Sequence, residues 1–379
     1  MTRKFFALML VLIPLSVGSA HAEFVLSPLS TFGGGDGWLA PSESVLSTAS
    51  VLGTSSLQRG LAYSALRNEL YVVDRTGGTF VRVLDGDTGA TLRTLNNTST
   101  PNPGLIAGGT FVLNMVSVGS DGAIYGANLA GVGNPFRVYR WANSLASTEA
   151  TLAFSGNLTG ANQAASSRAG DSFAIFGGGA TARLAVSGSA ATGVGLLDTA
   201  DGGVTFTQTA SVLTGAAAGS FRLGLDFIDG NTVIGKQTSS NAVVGPLSLT
   251  AAATNFALTS AGEGPLAYHG PNSLLATIDV NSSLVRLYEG ATAAGLGAFP
   301  VVSANATSGT LSSNGNAVGD LAFGTGPDGL RLYAMSTNQG IQAFRITVVP
   351  EPSSIALVAL FVVGIAARRR QLANRKQVS

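Results

Sequence analysis

The chain contains no cysteine. Disulfides, thiolate metal sites and cysteine nucleophiles are thereby excluded together. Histidine is almost as scarce, with His21 near the N-terminus and His269 alone in the rest of the chain. A multi-histidine metal site cannot be built, and a Ser-His-Asp triad could form only around His269. Charged residues make up only 11% of the 379 positions, too few for long solvated helices. Long uninterrupted apolar runs are confined to the two ends, so the mean hydropathy of +0.35 does not describe a protein that threads a membrane repeatedly. No G-x-S-x-G elbow, P-loop or dinucleotide fingerprint occurs, and the glycine clusters at 33–35 and 177–179 lack the strand-then-helix context of a phosphate cradle.

Glycine is abundant, at 50 residues. With Ser, Thr, Ala and Val around it, this composition favours short strands joined by tight turns. The formal charge of +1 hides an asymmetry. Seven of the 21 basic residues and only Glu351 among the 20 acids lie in the terminal segments, so residues 23–349 hold 14 basic against 19 acidic residues. An acidic body argues against nucleic acid as a partner, because that role needs clustered Lys and Arg.

Both ends read as addresses. Arg3 and Lys4 precede the apolar run FFALMLVLIPLSV, and small residues then lead to Ala20-His21-Ala22. This is the order of a secretory signal peptide spanning 1–22, with cleavage after Ala22 by signal peptidase. At the other end, Pro350-Glu351-Pro352 is followed by two serines, the run IALVALFVVGIAA and the cluster Arg368-Arg369-Arg370. Residues 354–367 are expected to form one short transmembrane helix. With Ser353 added they reach about 22 Å, short of the ~30 Å hydrocarbon core, and snorkelling arginines make up the difference. The basic cluster stays cytoplasmic, which sets everything before Pro350 outside.

The order VPEP, short apolar helix and terminal arginines resembles the PEP-CTERM sorting signal of exported bacterial proteins. That resemblance covers about 30 residues. It implies that a membrane-embedded exosortase reads Pro350, Glu351 and Pro352 and passes the protein to the cell surface or an exopolysaccharide-associated extracellular matrix. The expected precursor is anchored in the inner membrane with its body outside the cytoplasm. The nine residues after Arg370 make a longer tail than the pattern needs.

Between the addresses the sequence repeats. GLAYSALRNELYVVD (60–74), NMVSVGSDGAIYGAN (114–128), GLDFIDGNTVIGK (224–236), PLAYHGPNSLLATID (265–279) and DLAFGTGPDGLRLYAMS (320–336) each read as two short strands around a Gly/Asn/Asp turn, and SRAGDSFAIFGGG (167–179) is a weaker sixth member. A third strand follows each: FVRVLD, FRVYRW, ARLAVSG, AVVGPLSL, LVRLYEG and AFRITV. ATLRTL is the clearest fourth. Antiparallel units of about 50 residues define an all-β chain with β-propeller-like repeats over 23–349, six of them recognisable. Residues 23–59 either add a partial seventh blade or complete the last by strand exchange. A sandwich and a β-solenoid are the competing architectures.

Few residues here carry chemistry. An Arg recurs in five third strands, at Arg82, Arg137, Arg183, Arg286 and Arg345; such a side chain flanked by buried neighbours lays its stem on an adjacent sheet, so a structural role is expected over ligand binding. Asp85 with Asp87, and Asp279 with Asn281, alternate oxygens as calcium loops do, but neither completes the EF-hand spacing, and Asx turns form for backbone reasons alone. His269, in a turn where sister repeats carry Ser64 and Gly324, reads as surface decoration. No catalytic, cofactor-binding or metal-binding residue is assigned, and no cofactor is expected. The expected function is therefore a non-enzymatic surface or matrix protein; the alternative is an extracellular carbohydrate-active lyase or hydrolase, marked by paired carboxyls in the central channel. The exported form should begin at Glu23 by intact mass, and an outer-compartment protein still starting at Met1 contradicts the signal peptide.

Overall fold

The computed structural model describes residues 23–100, 102–158, 168–212, 216–247, 252–289, 301–306, 312–349 and 365. Ala20, Ala22, Pro350, Glu351, Pro352, Arg368, Arg369 and Arg370 therefore lie outside the described residues, as does residue 354–367 apart from Ile365. Among the described residues no helix is long and apolar enough to cross a membrane. The chain divides into two compact units. One gathers the chain ends, residues 1–24 and 348–379; the other, Val25–Thr347, is the repeat body.

Strands β1 (Glu23–Pro28) and β2 (Trp38–Leu39) precede the first repeat. Blade 1 is β3 (Gln58–Ser64), β4 (Glu69–Asp74), β5 (Phe80–Asp85) and β6 (Thr91–Thr94). Blade 2 is β7 (Phe111–Val118), β8 (Ile124–Leu129), β9 (Phe136–Trp141) and β10 (Thr151–Gly156). Blade 3 is β11 (Ser172–Phe176), β12 (Arg183–Ser187), β13 (Val194–Asp198) and β14 (Thr207–Val212). Blade 4 is β15 (Gly224–Asp229), β16 (Thr232–Lys236), β17 (Ala242–Pro246) and β18 (Thr254–Phe256). Blade 5 is β19 (Glu263–His269), β20 (Leu274–Asp279), β21 (Leu284–Glu289) and β22 (Val301–Ala306). Blade 6 is β23 (Gly319–Gly326), β24 (Gly329–Ser336) and β25 (Gly340–Val349), with β1 paired outside β25 and the short β2 also against it.

The first strand of every blade is the innermost. β3, β7, β11, β15, β19 and β23 touch in succession, and β23 touches β3 again, so six antiparallel sheets close a ring. This is a six-bladed β-propeller. The N-terminal segment adds no seventh blade: Leu29 N–H donates to Ala343 O at 2.9 Å and Ser27 Oγ to Arg345 O at 3.5 Å, which fixes β1 antiparallel on β25. The first and last strands of the body thus share one blade.

One expectation is corrected. Within 167–179 only β11 is a strand, and ARLAVSG supplies the second strand of blade 3 as β12, not the third. The Gly177-Gly178-Gly179 stretch, with Gly177 and Gly179 at positive φ, lengthens the loop between them and hides the hairpin pattern.

The core is distributed between blades. Tyr71, Val73, Val81 and Val83 of blade 1 pack on Leu113, Val116, Ile124 and Tyr139 of blade 2. Val186 and Leu184 of blade 3 pack on Tyr125 and Val138 of blade 2. Because both faces of a blade are covered, β4, β8 and β20 are buried at every position, and the two-residue alternation of a one-sided sheet is lost. Buried tyrosine hydroxyls cross to the next segment: Tyr333 donates to Gly86 O at 2.8 Å, Tyr125 to Gly203 O at 2.9 Å and Tyr139 to Ala107 O at 2.8 Å. Such a hydroxyl needs a partner once its ring is buried.

Adjacent inner strands approach closely. At Gly60, φ is +45° and an added Cβ would lie 2.7 Å from Met115 Cα in β7. Gly60→Ala is expected to destabilise the protein by about 1–3 kcal/mol, the scale of overpacking and backbone strain; an unchanged denaturant midpoint contradicts this close approach.

Candidate functional site

The inner strands enclose a channel with a cavity of about 270 Å³. Its wall follows from the repeat: each inner strand contributes a short apolar stretch such as Leu61-Ala62-Tyr63, Phe173-Ala174-Ile175 or Leu321-Ala322-Phe323. At the end where the inner strands turn, a second cavity of about 270 Å³ shares Tyr63, Val118, His269 and Phe323 with it and continues past Leu66, Ser120 and Thr325. Tyr63, His269 and Phe323 make the mouth aromatic.

His269 belongs to this mouth. The expectation of surface decoration is corrected, because the turn of blade 5 follows it as a short 3-10 segment, Gly270–Asn272, and leaves His269 as the last residue of β19. Its ring lies 5.2 Å from that of Phe323, and its Nδ1 is buried without a hydrogen-bond partner. Burial holds its pKa below the ordinary histidine value.

Two carboxyl groups face the channel, Asp226 of β15 and Asp320 of β23. Each clasps two backbones. Asp226 Oδ2 accepts from Tyr268 N–H at 2.7 Å in blade 5, and its Oδ1 from Phe227 N–H at 2.8 Å. Asp320 Oδ2 accepts from Leu61 N–H at 2.9 Å in blade 1, and its Oδ1 from Leu321 N–H at 3.0 Å. Blades 4 and 5, and blades 6 and 1, are joined in this way across inner strands that share no sheet. Both side chains keep some surface toward the channel while protein surrounds them, and no Lys or Arg lines the cavity. Desolvation raises Asp226 to about 7 against the pull of its two N–H donors. It raises Asp320 to about 8, with a further push from the charge of Asp226. The sequence reading missed both. The signal was present, since each Asp interrupts an apolar inner strand just after a glycine, in Gly224-Leu225-Asp226 and Gly319-Asp320.

The other candidates are accounted for by local structure. Arg82 Nε pairs with Asp74 at 2.9 Å, Arg183 Nε with Asp198 at 2.6 Å and Arg286 Nη1 with Asp279 at 3.2 Å. Arg137 Nη1 donates to Ala107 O at 2.5 Å, and Arg345 is exposed on β25. The arginines therefore do not converge on one ligand. Asp85 Oδ1 accepts from Asp87 N–H, Thr88 N–H and Thr88 Oγ1, while Asp87 accepts from Asn68 and Arg331. Asp279 Oδ1 accepts from Asn281 N–H at 3.0 Å in an Asx turn. Among the described residues no group of three or more His, Cys, Asp or Glu could hold a metal ion.

No family model and no curated protein matches the chain. Solved structures with similar folds include a gluconolactonase from Xanthomonas campestris, at TM-score 0.46 and 12% identity, covering 79% of this chain and 89% of that one. A protein from Lactobacillus plantarum is similar at TM-score 0.41 and 17% identity, covering 77% and 85%. The WD40 β-propeller domain of Doa1 is similar at TM-score 0.46 and 11% identity, covering 86% and 94%. Likeness at this level carries nothing about chemistry.

The two aspartates make stability depend on pH. A folded carboxyl raised to about 7 or 8 keeps a proton that the unfolded chain has already released near pH 4, so folding loses free energy as pH rises toward the folded value. The lowered His269 acts in the opposite direction, but only below its ordinary value of 6.5. The melting temperature is therefore expected to fall between pH 6.5 and 8, and the fall to shrink in Asp320→Asn. A flat or rising profile across that window contradicts the assignment.

Proposed function

We propose that this chain is an exported, non-enzymatic cell-surface or exopolysaccharide-matrix protein, routed by an exosortase-type enzyme that reads Pro350, Glu351 and Pro352. The observation that carries the proposal is the coincidence of that motif with a short apolar run and Arg368-Arg369-Arg370 at the chain's end. The position of the motif fits the role. β25 ends at Val349, so the Pro-Glu-Pro begins immediately after the last strand of the propeller, where two prolines cannot extend a ladder. Signal peptidase at Ala20-His21-Ala22 and an exosortase at Pro350–Pro352 would then trim the chain at both ends of one blade. The partners proposed are these two processing enzymes and an extracellular polysaccharide.

The channel supports a non-enzymatic reading through the way its acids are used. In Asp226 and in Asp320 both oxygens already accept a main-chain N–H, which suits a clasp better than a proton shuttle. A second reading, a carbohydrate-active lyase or hydrolase, is favoured by one feature. Two channel-facing carboxyls with raised proton affinity are the groups such chemistry would need. Turnover of a polysaccharide that disappears in Asp226→Asn or Asp320→Asn would select that reading.

The sorting proposal is tested with a variant in which Pro350, Glu351 and Pro352 are all changed to Ala. Insertion depends on hydrophobicity and flanking charge, so parent and variant should enter the membrane equally. In a host with an exosortase the parent should lose its C-terminal segment and move beyond the inner membrane, while the variant stays full length and membrane-bound. Equal retention of both as intact chains overturns the proposal.

A further inference from the structure

At the end of the inner strands away from the aromatic mouth, the structure holds positive charge that the fold does not neutralise. Arg59 lies near the start of β3, beside the irregularity that Gly60 introduces between Arg59 and Leu61. A bulge of this kind re-aims the side chain next to it. Only 9% of Arg59 is exposed, its Nε is buried without a partner, and its side chain makes no hydrogen bond among the described residues. Arg75 follows β4 at the same end of blade 1. Its Nε and Nη2 donate to Leu57 O at 3.3 Å and Ser56 O at 2.9 Å, its guanidinium lies 3.8 Å above the Phe111 ring, and its Nη1 is buried without a partner.

The nearby acids are already engaged. Asp171 holds Arg168 in a two-point pair at 2.9 and 2.6 Å and acts on Arg59 only through its field. Asp74, next to Arg75 in sequence, is bonded by Arg82 at 2.9 Å and by Gln58 at 2.9 Å. Arg59 also depresses the proton affinity of Arg75, so the two guanidinium groups share one field. A guanidinium does not shed its proton in a protein, and a buried one left unpaired is costly. Arg59 is paired with Val73 and Arg75 N–H donates to Leu57 O, so the two arginines are diagonal neighbours on one face of blade 1. Two such groups with unpartnered N–H donors call for an oxyanion.

We propose that Arg59 and Arg75 form a binding site for an oxyanion, a carboxylate, sulfate or phosphate group, at the end of the propeller away from the aromatic mouth. The group can come free from solution or be carried on an acidic saccharide, as a uronate or a sulfate ester. Phe111, itself 38% exposed, lies against Arg75 and offers an aromatic surface beside the charge. Neither arginine lines the two channel cavities described above, and the site stands whether or not the tail is sorted.

The full chain in detergent is titrated with sodium sulfate, sodium phosphate and a polyuronate at constant ionic strength, and its melting temperature is followed beside that of Arg59→Met. Because sulfate and phosphate raise melting temperatures by exclusion alone, the difference between parent and variant is the measurement. Without added oxyanion, Arg59→Met should melt at or above the parent, since an unpaired buried charge has become an apolar side chain. With oxyanion, the parent should show a saturable rise, and the apparent affinity of the variant should be weaker by roughly tenfold or more, the loss of one or two charge-assisted hydrogen bonds. A response to sulfate and phosphate alone assigns the site to a free inorganic anion; a response to the polyuronate assigns it to a saccharide. If Arg59→Met does not fold, Arg75→Met takes its place. Equal responses of parent and variant, no saturable response in the parent, or failure of both variants to fold overturns the proposal and makes the arginines structural.

Discussion

Among the described residues, neighbouring blades share no backbone ladder beyond the isolated bridge of Ala130 with Ala169, so the ring depends on what passes between sheets that are not bonded to each other as sheets. Three devices do this work. Apolar faces interlock between blades, as where Tyr71 and Val83 meet Ile124 and Tyr139. Buried tyrosine hydroxyls reach carbonyls outside their own sheet. Asp226 and Asp320 accept N–H groups from the next inner strand and hold two of the junctions at the axis itself. The last device is placed where no Lys or Arg lines the cavity, and both carboxyls lack a cationic partner there; away from the axis, Arg331 of blade 6 pairs with Asp87 of blade 1. Closure and channel chemistry are therefore the same residues seen from two sides.

Coverage of both blade faces also explains a composition that otherwise looks like a membrane protein's. A one-sided sheet needs polar residues at every second position, whereas a blade between two others does not. Strands such as Leu274–Asp279 are buried throughout. Several of the acids and bases that remain form pairs, as in Asp74 with Arg82 and Asp198 with Arg183.

The hairpin repeats made most of this architecture legible, because a Gly/Asn/Asp turn between two apolar strands survives in five of six blades even where side chains differ. Blade 3 was misread because its first turn is filled by the Gly177–Gly179 loop, which separates two strands that the pattern expects to be close. Of the repeated arginines, Arg82, Arg137, Arg183 and Arg286 meet neighbouring carboxylates or carbonyls, while Arg345 is exposed. Asp226 and Asp320 escaped notice for a physical reason. An acid within a short strand points to solvent or to the axis depending on which strand of the blade it occupies, and that ordering is a property of the closed ring. Arg59 escaped for a similar reason, because its isolation results from which acids other arginines have already taken.

The pairing of β1 with β25 has a consequence for the order of events during synthesis. Residues made first must wait for partners more than 300 positions later, as the bond from Leu29 to Ala343 illustrates. In that interval β25 is missing from blade 6 and the ring is an open arc with two raw sides. Contacts of such long sequence separation form slowly, and unpaired strands invite association with other chains. The hydrophobic surface left bare on blades 1 and 5 would be large, because each blade hides both of its faces only when two neighbours stand beside it. A holdase chaperone, or tethering of the nascent chain, would be most useful to this protein in the moments before its final strand arrives.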